Sequence, residues 1–169
     1  MTRKKIAALL LYVLESVIGA ALGYTLYQLN PVIGAWCLIS ILLVLAPDKK
    51  DAVTLALNRI KANVIGAAIG LVIFLIHPLN LATVCIGIAL AVGTCEFLNL
   101  KAATKSAAVA YLIITMHEPG KHFWDVALER AGGVMAGCIL GVIITYIFHV
   151  ISEKVVKPEP GENPPVADA

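Results

Sequence analysis

The stretch Ala56-Leu57-Asn58-Arg59, followed by Gly66 and Gly70, decides the fold of this chain. The same pattern recurs as Ala127-Leu128-Glu129-Arg130, followed by Gly137 and Gly141. Both copies read Ala-Leu-x-Arg-x6-Gly-x3-Gly, and both stand where polar sequence gives way to a long apolar run. Five shared positions at a single offset of 71 residues indicate an internal repeat that covers most of the chain.

The composition is that of a membrane protein. Hydrophobic residues make up 60% of the 169 residues and charged residues 14%, with a mean hydropathy of +0.89. Soluble domains hold about 45–50% apolar and about 25% charged residues. The length allows one domain. A net charge of +2, scattered along the chain, argues against a nucleic-acid partner.

Six apolar segments predict six transmembrane helices. They cover about residues 6–27, 32–45, 64–76, 81–97, 102–116 and 131–151. A helix needs about 20 residues to cross the hydrocarbon core. The first and last segments are long enough, and the third becomes so if it begins near residue 51, because 51–63 contains no proline or glycine. The short second and fifth segments are expected to pack inside the bundle, and five spans is the main alternative.

The distribution of lysine and arginine predicts the orientation. With the N-terminus inside, eleven of the thirteen lie on the cytoplasmic side, and only Lys121 and Arg130 lie outside. Both termini are therefore expected in the cytoplasm. The domain expected to span the membrane is 1–156, and the proline-rich 157–169 is expected to be a disordered cytoplasmic tail.

The repeat unit contains three helices, over about 6–77 and 81–151. Copies related by an odd number of crossings lie in opposite orientations, so the fold class predicted is an all-α integral membrane protein of two inverted three-helix repeats. Arg59 is then expected near the cytoplasmic face and Arg130 near the outer face. Inverted repeats are common in transporters, which bind substrate where the halves meet.

A family resemblance follows from an ordered set of residues: Pro31…Trp36…Ile39-Ser40…Leu42-Leu43-Val44…Pro47-Asp48, leading into Ala56…Arg59…Gly66…Gly70. This order resembles the fusaric acid resistance / aromatic acid exporter superfamily, over roughly residues 10–148. The resemblance implies a six-helix unit in the bacterial inner membrane that exports aromatic and other organic carboxylates. Larger members often add a second membrane unit or a cytoplasmic domain. This chain has neither, so it resembles a small single-unit member that is expected to form homo-oligomers.

Four residues are candidates for substrate handling. Arg59 and Arg130 could attract a carboxylate, because a guanidinium binds it through two parallel hydrogen bonds, or could anchor helix ends. Glu15 lies midway along the first span and could carry a coupling proton, or serve a structural hydrogen bond or a subunit interface. Trp36 could stack on an aromatic substrate or belong to an interfacial aromatic belt.

Three small-x-x-x-small pairs predict close helix packing, with a gating seam between the halves as the alternative. They are Gly19 and Gly23, Gly66 and Gly70, and Gly137 and Gly141.

No enzyme, cofactor or metal site is predicted, because the polar residues are scattered singly and the four cysteines stand alone in apolar runs. The predicted function is export of organic anions, driven by a proton gradient or passive flow. The alternatives are a non-transporting membrane subunit and a passive anion channel. The partners expected are the lipid bilayer, a small organic anion and further copies of the chain.

Overall fold

The computed structural model describes residues 3–76, 80–116 and 123–155. Within these ranges every regular element is helical. The elements are α1 (Arg3–Leu29), α2 (Pro31–Val44), α3 (Lys49–Ile76), α4 (Leu81–Phe97), a 3-10 turn (Lys101–Ala103), α5 (Thr104–Thr115) and α6 (Phe123–Val155). The tail predicted at 157–169 lies outside the described residues.

Local sequence explains where α2 and α4 begin. The side chain of Asn30 accepts hydrogen bonds from the backbone N–H groups of Val32 and Ile33, and Pro31 occupies the first turn, where its missing N–H costs nothing. Asn80 caps α4 in the same way, with Thr83 completing a capping box. Both boundaries therefore come from short-range hydrogen bonding and do not depend on the rest of the bundle.

α3 and α6 cross at the centre of the molecule and run antiparallel. Arg130, near the start of α6, meets Asn63 in the middle of α3. Further along α6, Cys138 packs in one buried cluster with Ala52 and Ala56 near the start of α3. Residue numbers therefore rise along one helix as they fall along the other.

The shorter helices flank this crossing. α2 runs parallel to α6, because Gly133 meets Ile33 while Gly141 meets Val44. α5 runs parallel to α3 on the other side, with Ala62 and Ala103 in one buried cluster. α1 packs on α2 and α6, and α4 packs on α5 and α3.

Glycines make these close approaches possible. A Cβ atom on Gly66 would lie 2.6 Å from the Cβ of Ala110, and one on Gly137 would lie 2.4 Å from the carbonyl oxygen of Cys37. Gly19, Gly23 and Gly141 likewise face a neighbouring helix closely, and Gly70 is buried. Five of the six paired glycines noted in the sequence, all but Gly70, therefore lie at helix–helix contacts where a side chain would meet the neighbouring helix.

The exterior of the bundle is apolar. Large hydrophobic side chains such as Leu10, Phe74 and Ile139 are exposed by half or more. Among the residues that the structure describes, three helices are long and apolar enough to cross a membrane, over Leu9–Leu29, Lys49–Ile76 and Trp124–Ile151. The backward extension of the third segment is thus confirmed. α2 and α4 are shorter apolar helices, and α5 is shorter still. The described part of the chain is thus all-helical, and the protein is a multi-pass membrane protein.

Candidate anion-binding site

Arg59 is turned towards the interior of the bundle by the packing of its own helix. Ala56 and Ala52 lie one and two turns before it and are buried against α6, so Arg59 lies on the same face of α3. Its Nη2 donates to the hydroxyl of Ser40 on α2, at 3.4 Å. Its Nε is buried and has no hydrogen-bond partner among the described residues.

The side chain of Arg130 is held by more contacts than that of Arg59. Only 5% of its surface is exposed. Its Nε donates to Oδ1 of Asn63 at 2.7 Å, and its guanidinium carbon lies 4.3 Å from the centre of the Trp36 ring, within the range of a cation–π contact. Its Nη1 is buried and makes no hydrogen bond within the described part of the chain.

Both arginines line a single cavity of about 350 Å³. Its polar lining consists of Arg59, Arg130, Lys105, Ser106 and Asn63, with Trp36 beside them. Its apolar lining consists of Ile39, Leu43, Val109, Ala110, Ile113 and Val134. Three cations thus share this space, and none of its described lining residues is a carboxylate.

This arrangement leaves positive charge uncompensated. Removing a cation from water costs several kcal/mol, and two guanidinium groups facing one small cavity also repel each other. A buried donor without an acceptor adds a further cost of about 1–3 kcal/mol. An anion in the cavity would offset all three costs, since a carboxylate offers two oxygens to the free Nε and Nη1 groups. The chemistry of the cavity therefore fits an organic anion.

The expectation that Arg59 and Arg130 lie near opposite ends of the bundle is wrong, because both side chains face the same cavity. Arg59 stands ten residues into α3 and Arg130 seven residues into α6, or about 15 and 11 Å along each helix. Because the two helices run antiparallel, these positions meet where the helices cross.

Trp36 lines the same cavity, but its ring already carries the guanidinium of Arg130. The Trp36 face in that contact is therefore occupied, and the structure places Trp36 as a support for Arg130.

Glu15 does not join this site. It lines a separate cavity of about 90 Å³ together with Tyr12, Thr145 and His149. Glu15 is 4% exposed, and its Oε1 accepts a hydrogen bond from the Thr145 hydroxyl at 2.6 Å. The carboxylate and the arginines are thus held in two different parts of the bundle.

Sequence reasoning missed four polar residues of the site: Ser40, Asn63, Lys105 and Ser106. Asn63 had a usable signal, because it follows Arg59 by four residues and so lies on the same helix face. Ser40 stands alone in an apolar run, and only the packing of α2 on α6 brings it to Arg59. Across the described ranges, no group of three metal-ligating side chains forms.

A family model described as fusaric acid resistance protein-like matches residues 19–144, well over half of the chain. No curated protein and no solved structure matches significantly.

Proposed function

Because this chain belongs to the fusaric acid resistance protein-like family, whose members are membrane transporters, we propose that it exports organic anions, in particular aromatic carboxylates. The observation that carries the proposal is that Arg130, which is buried, and Arg59, which is half-buried, line one cavity and each keep a buried donor without an acceptor among the described residues. The carboxylate of the substrate binds between Arg59 and Arg130, while Lys105 attracts it to the cavity.

The architecture we propose is six membrane crossings in two inverted three-helix repeats, with both termini in the cytoplasm of a bacterium. The packing supports it: exchanging α1, α2 and α3 for α4, α5 and α6 leaves the set of helix neighbours unchanged. Gly66 meets Tyr111, and Gly137 meets Ser40. The second contact is the counterpart of the first, because Gly137 follows Gly66 by 71 residues and Tyr111 follows Ser40 by the same number. Arg59 and Arg130 then occupy equivalent positions about one pseudo-twofold axis, as the binding residues of inverted-repeat transporters do.

The test is flux through purified protein in liposomes. We expect the wild type to move radiolabelled benzoates faster than protein-free vesicles do, at pH 8, where little of the membrane-permeant neutral acid is present. Arg59→Ala should abolish this protein-dependent flux while leaving helicity and elution volume unchanged, because it removes half of the carboxylate site. Lys61→Ala is the matched control, since Lys61 is an exposed cation two residues further on and outside the cavity.

Two outcomes would contradict the exporter. A wild type that moves none of the benzoates would leave the non-transporting subunit as the better description. A flux that survives Arg59→Ala would place the anion path elsewhere.

Glu15 is proposed as the group that carries the coupling proton, since it is a buried carboxylate beside Tyr12 and His149 in a cavity of its own. A proton-coupled exporter should therefore lose its dependence on an imposed pH gradient in Glu15→Gln. Flux that ignores the gradient in both wild type and Glu15→Gln would instead identify a passive channel.

A further inference from the structure

The anion cavity has a buried floor and an exposed rim. Its floor is formed where α3 crosses α6, by buried residues such as Asn63, Arg130 and Val134. Its walls come from α2 on one side and α5 on the other. Among the described residues no Cα atom of α2 lies within 8 Å of a Cα atom of α5, so the two walls leave a gap.

This gap lies on the flank of the bundle. α2 runs parallel to α6, α5 runs parallel to α3, and α3 and α6 run antiparallel, so the cavity is bounded by helices that share one general direction. A gap between α2 and α5 therefore faces sideways, towards the surroundings of the apolar exterior.

The rim of the gap is mostly apolar. Among the cavity-lining residues, Ile39 is 42% exposed, Leu43 52% and Val109 50%. Lys105, at the start of α5, is the exposed cation of the rim. A polar solute would gain nothing from an apolar rim, whereas a molecule with a charged end and an apolar end matches both the rim and the floor.

We propose that the cavity takes an amphiphilic carboxylate sideways from the bilayer, through the gap between α2 and α5. Its charged end meets the free Nε of Arg59 and the free Nη1 of Arg130, and its apolar end lies among Ile39, Leu43 and Val109. The inference rests on the proposed function, because it concerns the same cavity and the same anion. It adds the shape of the substrate and the side from which it arrives.

The first test measures whether the gap opens to lipid, without any transport assay. The chain has two tryptophans, so Trp124→Phe leaves Trp36 in the cavity as the fluorescent reporter. Reconstituted into lipids with brominated acyl chains, this protein should lose a large part of its fluorescence relative to unbrominated lipids. Unchanged Trp36 fluorescence, whether because another copy seals the flank or because the gap is closed, overturns the proposal.

The second test measures the apolar end of the substrate. Binding of benzoate, 4-butylbenzoate and 4-octylbenzoate is followed by the same Trp36 fluorescence in vesicles. Affinity should rise along the series, by up to roughly fourfold for each methylene that leaves water. Part of that rise reflects partitioning into the bilayer, which every variant shares.

A matched pair of variants isolates the contribution of the gap. Val109→Phe fills the rim, and we expect it to weaken the binding of 4-octylbenzoate at least tenfold more than it weakens the binding of benzoate. Val72→Phe is the control, because Val72 is exposed to a similar extent, 54%, but does not line the cavity. It should bind the whole series as the parent does.

The outcomes separate the two proposals. If Val109→Phe binds the series as its parent does while Arg59-dependent benzoate flux persists, the anion comes from the aqueous side and the sideways path is wrong, but the exporter stands. If benzoate is neither bound nor moved, both proposals fall.

Discussion

Arg130 gains its orientation from two neighbours, and each constrains a different part of the guanidinium. Asn63 binds its Nε, and the Trp36 ring supports its face. Those two contacts leave Nη1 as a buried donor without an acceptor among the described residues, in a side chain that lines the cavity. A lysine at the same position would keep the charge but could not reproduce a planar group with several fixed donors.

We therefore expect Arg130→Lys to bind benzoate more weakly by roughly 10- to 150-fold, the equivalent of one lost hydrogen bond to a charged group. Trp36 fluorescence in the Trp124→Phe background measures the affinity. Lys61→Arg, an exchange of the same two residue types outside the cavity, should bind benzoate normally. If Arg130→Lys bound benzoate as tightly as the parent protein does, the positive charge alone, without the planar set of donors, would be enough to hold the anion.

At this scale, the sequence drew attention to two arginines that line the cavity but did not predict where they meet. Arg59 and Arg130 were identifiable because each opens an apolar run with the same spacing. Their convergence was not, because it depends on how far along each helix the crossing falls. Glu15 lies midway along α1, as the sequence predicted. Its neighbours could not be predicted, because no local pattern indicates which helix packs against which face of α1.

At the scale of helices, α6 presents two kinds of glycine that differ only in what faces them. A Cβ on Gly137 would collide with the backbone of α2, whereas one on Gly132 would meet nothing within 4 Å. Helix propensity favours alanine over glycine by about 1 kcal/mol at either position. At Gly137 packing should outweigh this preference and make alanine destabilising, because overpacking costs typically 1–3 kcal/mol or more.

Gly137→Ala should accordingly lower the midpoint of thermal unfolding in detergent, and Gly132→Ala should leave it unchanged or raise it slightly. The two substitutions add the same methyl group to the same helix, so differences in detergent binding cancel. Circular dichroism at 222 nm measures both. Equal midpoints would show that α2 can move aside, and that the seam is loose enough to slide.

The starts of α2 and α4 were the most predictable helix limits, because they rest on local chemistry, whereas α6 begins at Phe123, well before the predicted residue 131. Asn30-Pro31 and Asn80 mark the starts of α2 and α4 through capping bonds to their own first turns. Partner choice was less predictable. That α2 packs on α6, far away in sequence, and not chiefly on α3 depends on Gly133, Gly137 and Gly141 fitting one surface of α2.

At the scale of the whole molecule, the helix directions constrain the topology. α3 and α5 run one way and α2 and α6 the other, as an even number of crossings requires. Combined with the excess of lysine and arginine on one side, this predicts that reporter fusions place residue 1 and residue 169 on the cytoplasmic side. A C-terminal reporter outside, with the N-terminal one inside, would establish an odd number of crossings and exclude the inverted repeat.

The two helices beside the cavity are shorter than the membrane is thick. α2 has 14 residues and α5 has 12, which corresponds to about 21 and 18 Å. The hydrocarbon layer measures about 30 Å. A bilayer meeting these two helices thins locally to cover them, at a modest elastic cost. The thinning falls on the flank where the cavity opens, and it brings headgroups and water towards the arginines. Membrane deformation would thus lower the free-energy barrier that an anion meets on its way to the middle of the bundle. The transport rate should then depend on the thickness of the surrounding bilayer.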